Sequence, residues 1–180
     1  MPTVISNGYS LKLVVCNHPL SLTVGNLIVT KPMNVNRMAN RSFIDTNILV
    51  YAEASDIPVK QKTALSLLKQ LYEDASGVLS TQILQEYCNV ALKKLKLSPQ
   101  YIRAQLDLYE QFEVIQVTPA IIRAGIDLNQ TRSIAFYDAI VLASAKASGC
   151  RVLFSEDMNT GETVDSIQIC NPFVNNVPKK

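Results

Sequence analysis

The chain has 180 residues, 48% of them hydrophobic, and a formal net charge of +2, which is typical of one globular domain with a sizeable core. Its longest apolar stretch, 11–29, is broken by polar residues and a proline before it reaches the roughly 18 residues of a membrane span. That stretch also has no basic segment before it and no cleavage site behind it, which argues against a secretory signal peptide, and we expect a cytosolic protein without a membrane partner.

Residues 1–40 differ from the rest of the chain. They hold three basic residues and no acid, whereas the remainder holds 14 basic and 15 acidic residues. They also lack a clear hydrophobic period and contain several Asn, Pro and Gly residues. We expect either an N-terminal extension or upstream sequence translated from a start codon set too early, and favour the second because an α/β domain can begin directly with its first strand, four residues after Met38. The folded domain is predicted over 41–175, and 176–180 is a short tail.

From Arg41 onward, short apolar runs alternate with helical patterns. Strands are predicted at 42–45, 77–80, 113–117, 151–155 and 166–170. Helices are predicted at 59–75, 81–96, 98–112, 120–130 and 137–149. This alternation is typical of a parallel sheet covered by helices, so the predicted fold class is α/β, a parallel-sheet α/β/α sandwich.

Several helix ends carry local signals. Ser98 and Thr118 each precede a proline, which is the pattern of an N-cap followed by the first helical residue. Ser80 or Thr81 can cap the helix 81–96. Gly149 suits the position just after a helix C-terminus.

The cysteines and the histidine restrict the available chemistry. Cys16, Cys88, Cys150 and Cys170 lie far apart without CxxC spacing, and we expect buried free thiols. His18 is the only histidine, so catalysis elsewhere in the chain cannot use a Ser-His-Asp or Cys-His arrangement. Carboxylates remain as the candidate reactive groups.

Four acids stand where apolar packing alone would not place them. Asp45 closes the first predicted strand, Asp157 follows the strand 151–155 with Glu156 beside it, Asp138 opens a helix, and Glu86 lies on the apolar face of the helix 81–96. Because the carboxyl ends of parallel strands meet at one edge of a sheet, we expect these acids to converge there. Taken singly, each acid also has a structural explanation, as a helix cap, a helix N-terminal acid, a turn residue or a surface acid.

Carboxylates gathered without a counter-charge would repel one another and shift to high pKa. A divalent cation with oxygen ligands removes that cost, and Mg²⁺ or Mn²⁺ suits such a site. The chain has no GxxxxGK[ST] motif, so P-loop nucleotide hydrolysis is excluded. A carboxylate-held metal that activates water beside a phosphodiester is nuclease chemistry.

Four blocks of sequence carry a family resemblance: FIDTNILVYA, STQILQEYCNV, IAFYDAIVLASA and VLFSEDMNTG. Through them the chain, from about Ser42 to Phe173, resembles the PIN-domain family of metal-dependent ribonucleases, and most closely the VapC-type toxins of type II toxin-antitoxin pairs. The resemblance implies a catalytic and metal-binding set of Asp45, Glu86, Asp138 and Asp157, supported by Asn47 and Ser155. Glu156 stands beside Asp157, and strand register decides which of the two faces inward; we favour Asp157.

The same resemblance implies endonucleolytic cleavage of RNA that leaves a 5′-phosphate and uses Mg²⁺ or Mn²⁺. It also implies a homodimer and a cognate antitoxin protein that blocks the site. The first 37 or so residues have no counterpart in a minimal domain of this family.

Basic residues near the helix 81–96 are candidates for RNA contact. Lys93, Lys94, Lys96 and Arg103 could hold RNA phosphates beside the metal. Lysines at a helix C-terminus are also favoured by the helix dipole, and both explanations remain open.

Two other functions compete with a toxin nuclease. A housekeeping PIN nuclease of RNA maturation or decay would have the same site. A receiver-like phosphoacceptor domain also clusters acids at a sheet edge, but it needs a lysine after the last strand, and the segment SIQICNPF has none.

Overall fold

The computed structural model describes residues 41–174, so the predictions for 1–40 and for the tail at 176–180 lie outside the described part of the chain. The strands are β1 (Ser42–Ile44), β2 (Gly77–Ser80), β3 (Glu113–Ile115), β4 (Val152–Phe154), β5 (Thr163–Val164) and β6 (Ile167–Cys170). The helices are α1 (Thr46–Glu53), α2 (Pro58–Glu73), α3 (Thr81–Lys93), α4 (Pro99–Tyr109), α5 (Pro119–Arg132) and α6 (Phe136–Ala147).

The strands form one mostly parallel sheet in the order β3-β2-β1-β4-β6-β5. β1 lies at its centre, where Phe43 is in register with Val78 of β2 on one side and Leu153 of β4 on the other. The predicted α/β class with a parallel sheet is therefore confirmed. The carboxyl ends of β1, β2 and β4 all open onto the same edge.

Two elements depart from the prediction. β5 pairs antiparallel with β6 at the edge of the sheet, through a turn in which Asp165 and Ser166 both have positive φ. A two-residue hairpin turn of type I′ requires that conformation, and Asp-Ser is a weaker signal for it than Asp-Gly. Helix α1 is also absent from the predicted helices. Its run ILVYA is apolar at nearly every position, so no alternation of polar and apolar residues indicates a helix.

The predicted caps are present. The side chains of Ser80, Ser98 and Thr118 accept hydrogen bonds from the backbone N–H three residues on, and each begins its helix. Gly149 follows α6 with φ of +71°, a conformation that costs glycine nothing. These caps set where each helix starts relative to the sheet edge.

The core lies between the sheet and its helices. Phe43, Leu79 and Leu153 are fully buried on the three central strands, and Tyr87 of α3 is the largest fully buried side chain within residues 41–174. The described cysteines are free, as expected, but only Cys150 is buried; Cys88 and Cys170 are half-buried. Within residues 41–174, no helix is long and apolar enough to cross a membrane.

Gly125 of α5 packs directly against Ile140 of α6. A Cβ added there would lie 2.8 Å from Ile140 Cγ1 and 3.3 Å from the backbone of the same residue. We expect Gly125→Ala to lower the free energy of unfolding by about 1–3 kcal/mol in urea denaturation, because overpacking outweighs the gain in helix propensity. The double variant with Ile140→Ala should lose less than the sum of the two single losses. A more stable Gly125→Ala protein would contradict this contact.

Candidate metal centre

Asp45 connects β1 to α1 and is almost fully buried. Its Oδ1 accepts a hydrogen bond from Thr46 N at 2.7 Å, which caps α1, and the residue is only 8% exposed. Burial raises the pKa of Asp45 to about 6, aided by the charges of Asp157 and Glu86 and opposed by the hydrogen bonds from Ser155 and Thr46. The ionised carboxylate is therefore destabilised in the protein alone.

Ser155 and Asn47 hold the other oxygen of Asp45. Ser155 Oγ donates to Asp45 Oδ2 at 2.6 Å, and Asn47 Nδ2 donates to the same oxygen at 3.0 Å. Asn47 Nδ2 also lies 3.3 Å from Asp157 Oδ2, and Asp157 N donates to Ser155 Oγ at 3.2 Å. This network joins the ends of β1 and β4 and orients two of the predicted acids.

Glu86 reaches the same edge from α3. Thr46 Oγ1 donates to Glu86 Oε2 at 2.8 Å, and Gln82 Nε2 donates to Glu86 Oε1 at 2.9 Å. Gln82 Nε2 also lies 3.3 Å from the carbonyl oxygen of Tyr137. Glu86 is thus tied to α1 directly and, through Gln82, to the N-terminus of α6.

Asp138 lies in the first turn of α6. Burial raises its pKa, and the charges of Asp157 and Glu86 raise it further. Asp45, Glu86, Asp138 and Asp157 all line one cavity of about 490 Å³. The structure therefore brings the four predicted acids to one cavity at the carboxyl edge of the sheet.

The oxygen donors of this cavity suit a hard divalent cation. Asn47 Oδ1 and Gln82 Oε1 are buried there without a hydrogen-bond partner in the described part of the chain. As they stand, no three His, Cys, Asp or Glu side chains in residues 41–174 are gathered tightly enough to hold a metal ion. The acids are spread around the cavity wall, at a range where their charges still raise the pKa of Asp45 and Asp138. Carboxylate and amide oxygens are the ligands that Mg²⁺ and Mn²⁺ prefer, so the donor set fits.

Glu156 and Asp157 have different surroundings. Glu156 forms an ion pair with Lys60, whose Nζ also donates to Tyr51 Oη at 2.9 Å and lies 4.3 Å from the centre of the Tyr51 ring. Although burial opposes it, hydrogen bonding to Lys60 and Tyr51 lowers the pKa of Glu156. Asp157 lines the cavity and Glu156 does not. The placement favours Asp157 as the fourth acid.

Of the basic residues proposed for RNA contact, the structure places one at the site. Lys94, at the end of α3, lines the acidic cavity. Lys93, Lys96 and Arg103 are exposed and do not line it.

Three residues of the site were missed from the sequence. Thr46 and Gln82 bind Glu86, and Tyr137 forms part of the cavity wall beside Asp138. A signal existed for Gln82, which precedes Glu86 by one helical turn and can therefore meet it on the same face. The contact made by Thr46 depends on how α1 meets α3, which no local pattern reports.

The ionisation of Asp45 gives a pH-dependent stability. The folded protein binds this proton more tightly than the unfolded chain, so the contribution of Asp45 to the free energy of unfolding should fall as the pH rises from about 4 to about 6 without metal. Because the pKa values of Glu53 and Asp138 are also raised and those of Glu156 and Asp165 are lowered, the contribution of Asp45 is measured as the difference between the wild type and Asp45→Asn. Urea denaturation in chelator at several pH values measures both. Parallel curves for the two proteins would contradict the raised pKa.

A sheet of this order with an acid-lined cavity at its carboxyl edge defines an α/β domain built around an acidic site. The sequence model of the PIN-domain family matches residues 42–163, and the chain belongs to this family. The predicted family resemblance is thereby confirmed, and it favours a nuclease over the receiver-like alternative. No curated protein sequence matches the chain.

Solved structures of toxins share the fold. A toxin-antitoxin complex from Klebsiella pneumoniae is 23% identical, with a TM-score of 0.54, and the match covers 73% of this chain and 97% of that chain. VapC20 of Mycobacterium tuberculosis, a toxin that cleaves the sarcin-ricin loop, is 18% identical, with a TM-score of 0.52 over 64% of this chain and 89% of that chain. VapBC2 from Rickettsia felis, bound to a fragment of its promoter DNA, is 17% identical, with a TM-score of 0.53 over 71% and 96%. At these identities the likeness shows the fold.

Proposed function

We propose that the chain is a metal-dependent endoribonuclease that hydrolyses RNA phosphodiester bonds. The observation that carries this proposal is the convergence of Asp45, Glu86, Asp138 and Asp157 on one cavity, where burial and the neighbouring acids disfavour the charged forms of Asp45 and Asp138. A divalent cation would compensate the unfavourable free energy of these buried carboxylate charges. Family membership supplies the reaction class.

In this proposal the four acids hold Mg²⁺ or Mn²⁺, which when bound supplies an activated water and neutralises charge on the phosphodiester. Ser155 and Asn47 keep Asp45 oriented toward the cavity, and Thr46 and Gln82 do the same for Glu86. Lys94 lies on the cavity wall, where it can bind an RNA phosphate. The products are RNA ends that carry a 5′-phosphate.

We further propose that the chain is the toxin of a type II toxin-antitoxin pair and works as a homodimer that its cognate antitoxin inhibits. The support is the fold shared with the Klebsiella pneumoniae toxin-antitoxin complex and with the toxin VapC20. A housekeeping PIN nuclease would use the same acids. A small antitoxin gene beside this one, whose product relieves growth arrest caused by the chain, favours the toxin.

The direct test is incubation of the purified full chain with total RNA in Mg²⁺, in Mn²⁺ and in chelator, followed by mapping of the new 5′ ends. We expect cleavage at discrete internal positions with either metal, none in chelator, and none for an Asp138→Ala variant prepared in parallel. Cleavage that persists in chelator, or that the Asp138→Ala protein retains, would contradict the proposal.

The contact between Thr46 and Glu86 gives a finer prediction. Thr46→Val removes the donor to Glu86 Oε2 and keeps the side-chain shape, so we expect a loss of about 10–100-fold in metal affinity or activity. The Mg²⁺ concentration that gives half-maximal cleavage measures it. Thr63→Val is the matched control, because Thr63 Oγ1 bonds only the exposed carbonyl of Val59 on α2. Equal Mg²⁺ requirements in both variants would show that Thr46 does not position Glu86.

A further inference from the structure

Tyr137 is an exposed aromatic residue at the edge of the acidic site. It lines the same cavity as the four acids, directly before Asp138 in sequence, yet its side chain is 66% exposed. Large apolar surface left open in this way costs free energy that burial would recover. Core packing therefore does not explain the ring.

The backbone that carries the ring is held in place. The carbonyl oxygen of Tyr137 accepts a hydrogen bond from Gln82 Nε2, the same group that binds Glu86. The ring itself makes an edge-to-face contact with Phe136, with 5.6 Å between the two centroids. The backbone of Tyr137 is therefore tied to the group that binds Glu86, and its ring stands next to the acids, where it can contact whatever enters the cavity.

The cavity has the polarity of a site for a nucleic-acid strand. Its acids suit a cation that meets the phosphodiester, Lys94 offers a positive charge for a phosphate, and Tyr137 offers an open aromatic face. Proteins recognise single-stranded RNA by stacking its unpaired bases on aromatic rings, whereas a duplex keeps its bases stacked on each other.

We propose that Tyr137 stacks on the nucleobase next to the scissile phosphate and thereby positions the RNA strand against the acids. This inference rests on the proposed function, because it assumes that the acid-lined cavity receives RNA. Tyr137 is then a positioning residue for the substrate, and it takes no part in the chemistry.

The chain contains no tryptophan, which makes the stacking directly observable. Tyr137→Trp in an Asp45→Asn background places the protein's single tryptophan, which can be excited selectively over tyrosine, at the site of a protein that should cut RNA very slowly. We expect titration with an unstructured 12-nucleotide RNA in Mg²⁺ to quench its fluorescence, and the same RNA with its bases replaced by abasic sites to quench it far less. Leu108→Trp in the same background is the control, since Leu108 is 47% exposed on α4 and does not line the cavity.

Steady-state cleavage provides the second measurement. Tyr137→Ala should raise KM for single-stranded RNA by about 5- to 100-fold with little change in kcat, and Tyr137→Phe should retain the wild-type KM. Circular dichroism checks that each variant is folded.

The outcomes separate this inference from the proposed function. Quenching by RNA with bases, together with a wild-type protein that cuts no RNA, supports the stacking and overturns the nuclease. Metal-dependent cleavage with no quenching of Tyr137→Trp fluorescence, or with an unchanged KM for Tyr137→Ala, overturns the stacking. Contact with a protein partner would then be the remaining explanation for the exposed ring. Equal quenching by abasic RNA, or at Leu108→Trp, also overturns it.

Discussion

An Asp45→Asn variant is expected to lose about 10³-fold or more of the metal-dependent RNA cleavage while remaining folded. A metal site contributes several kcal/mol of transition-state stabilisation, and about 1.4 kcal/mol corresponds to tenfold in rate. Asparagine keeps the oxygen that caps α1 at Thr46 N, so the fold should tolerate the change. Single-turnover cleavage of a defined RNA, with the free energy of unfolding measured on the same preparation, gives both quantities.

The free energy of unfolding of Asp45→Asn provides a second test, independent of its activity. The buried carboxylate of Asp45 has a raised pKa, so its charge destabilises the protein at neutral pH in the absence of metal. Asparagine also loses the acceptor for Ser155 and Asn47, so we expect the removal of the buried charge to offset that loss and Asp45→Asn to remain about as stable as the wild type in chelator. A folded Asp45→Asn protein with wild-type cleavage would contradict a metal role for this residue.

The neighbouring acids provide a matched comparison. Asp157→Asn should cause a loss of the same order as Asp45→Asn, whereas Glu156→Gln should cost clearly less, because Glu156 pairs with Lys60 outside the cavity. A larger loss for Glu156→Gln would reverse the assignment of the fourth acid.

Tyr87→Ala should lower the free energy of unfolding by about 3–5 kcal/mol, the range for removing a large aromatic side chain from a core. Tyr87 is fully buried on α3, and its ring meets Tyr109 of α4 edge to face at 5.1 Å. Its hydroxyl donates to Glu53 Oε1, at the end of α1, at 3.0 Å. The side chain therefore joins α1, α3 and α4 next to Glu86. Urea denaturation, fitted with one m-value for the wild type and the variant, measures the loss in the free energy of unfolding.

Tyr87→Phe separates the ring from the hydroxyl. Tyr101 Oη still donates to Glu53 at 2.9 Å, so the half-buried carboxylate keeps one partner. We expect a cost of about 1–3 kcal/mol, the range for a hydrogen bond lost to a buried group. A Tyr87→Ala cost no larger than that of Tyr87→Phe would show that the ring contributes little to the core.

The helix starts and the sheet class were predictable because they follow from local chemistry. Ser98 and Thr118 each combine a capping side chain with a following proline, and both begin helices in the structure. Helix α1 and strand β5 were not predicted. The apolar residues of α1 show no helical spacing, and β5 has only two residues, whose pairing depends on an Asp-Ser turn.

The meeting of the four acids was predictable from topology, since residues after parallel strands share an edge. The side chains that hydrogen-bond to these acids were harder to predict from the sequence. Ser155 and Asn47 stand beside the acids in sequence, but the bond from Thr46 to Glu86 joins residues 40 positions apart. Such contacts depend on how helices dock on the sheet, which is decided by side-chain packing over the whole domain.

A crystal structure of the full chain grown with Mn²⁺, using anomalous scattering to locate the metal, tests the proposed metal site directly. We expect a Mn²⁺ peak in the cavity, with oxygens of Asp45, Asp138 and at least one of Glu86 and Asp157 within about 2–2.5 Å of the ion or bonded to its waters. A fully occupied crystal with no peak in that cavity, or with these carboxylates turned away from the ion, would contradict it.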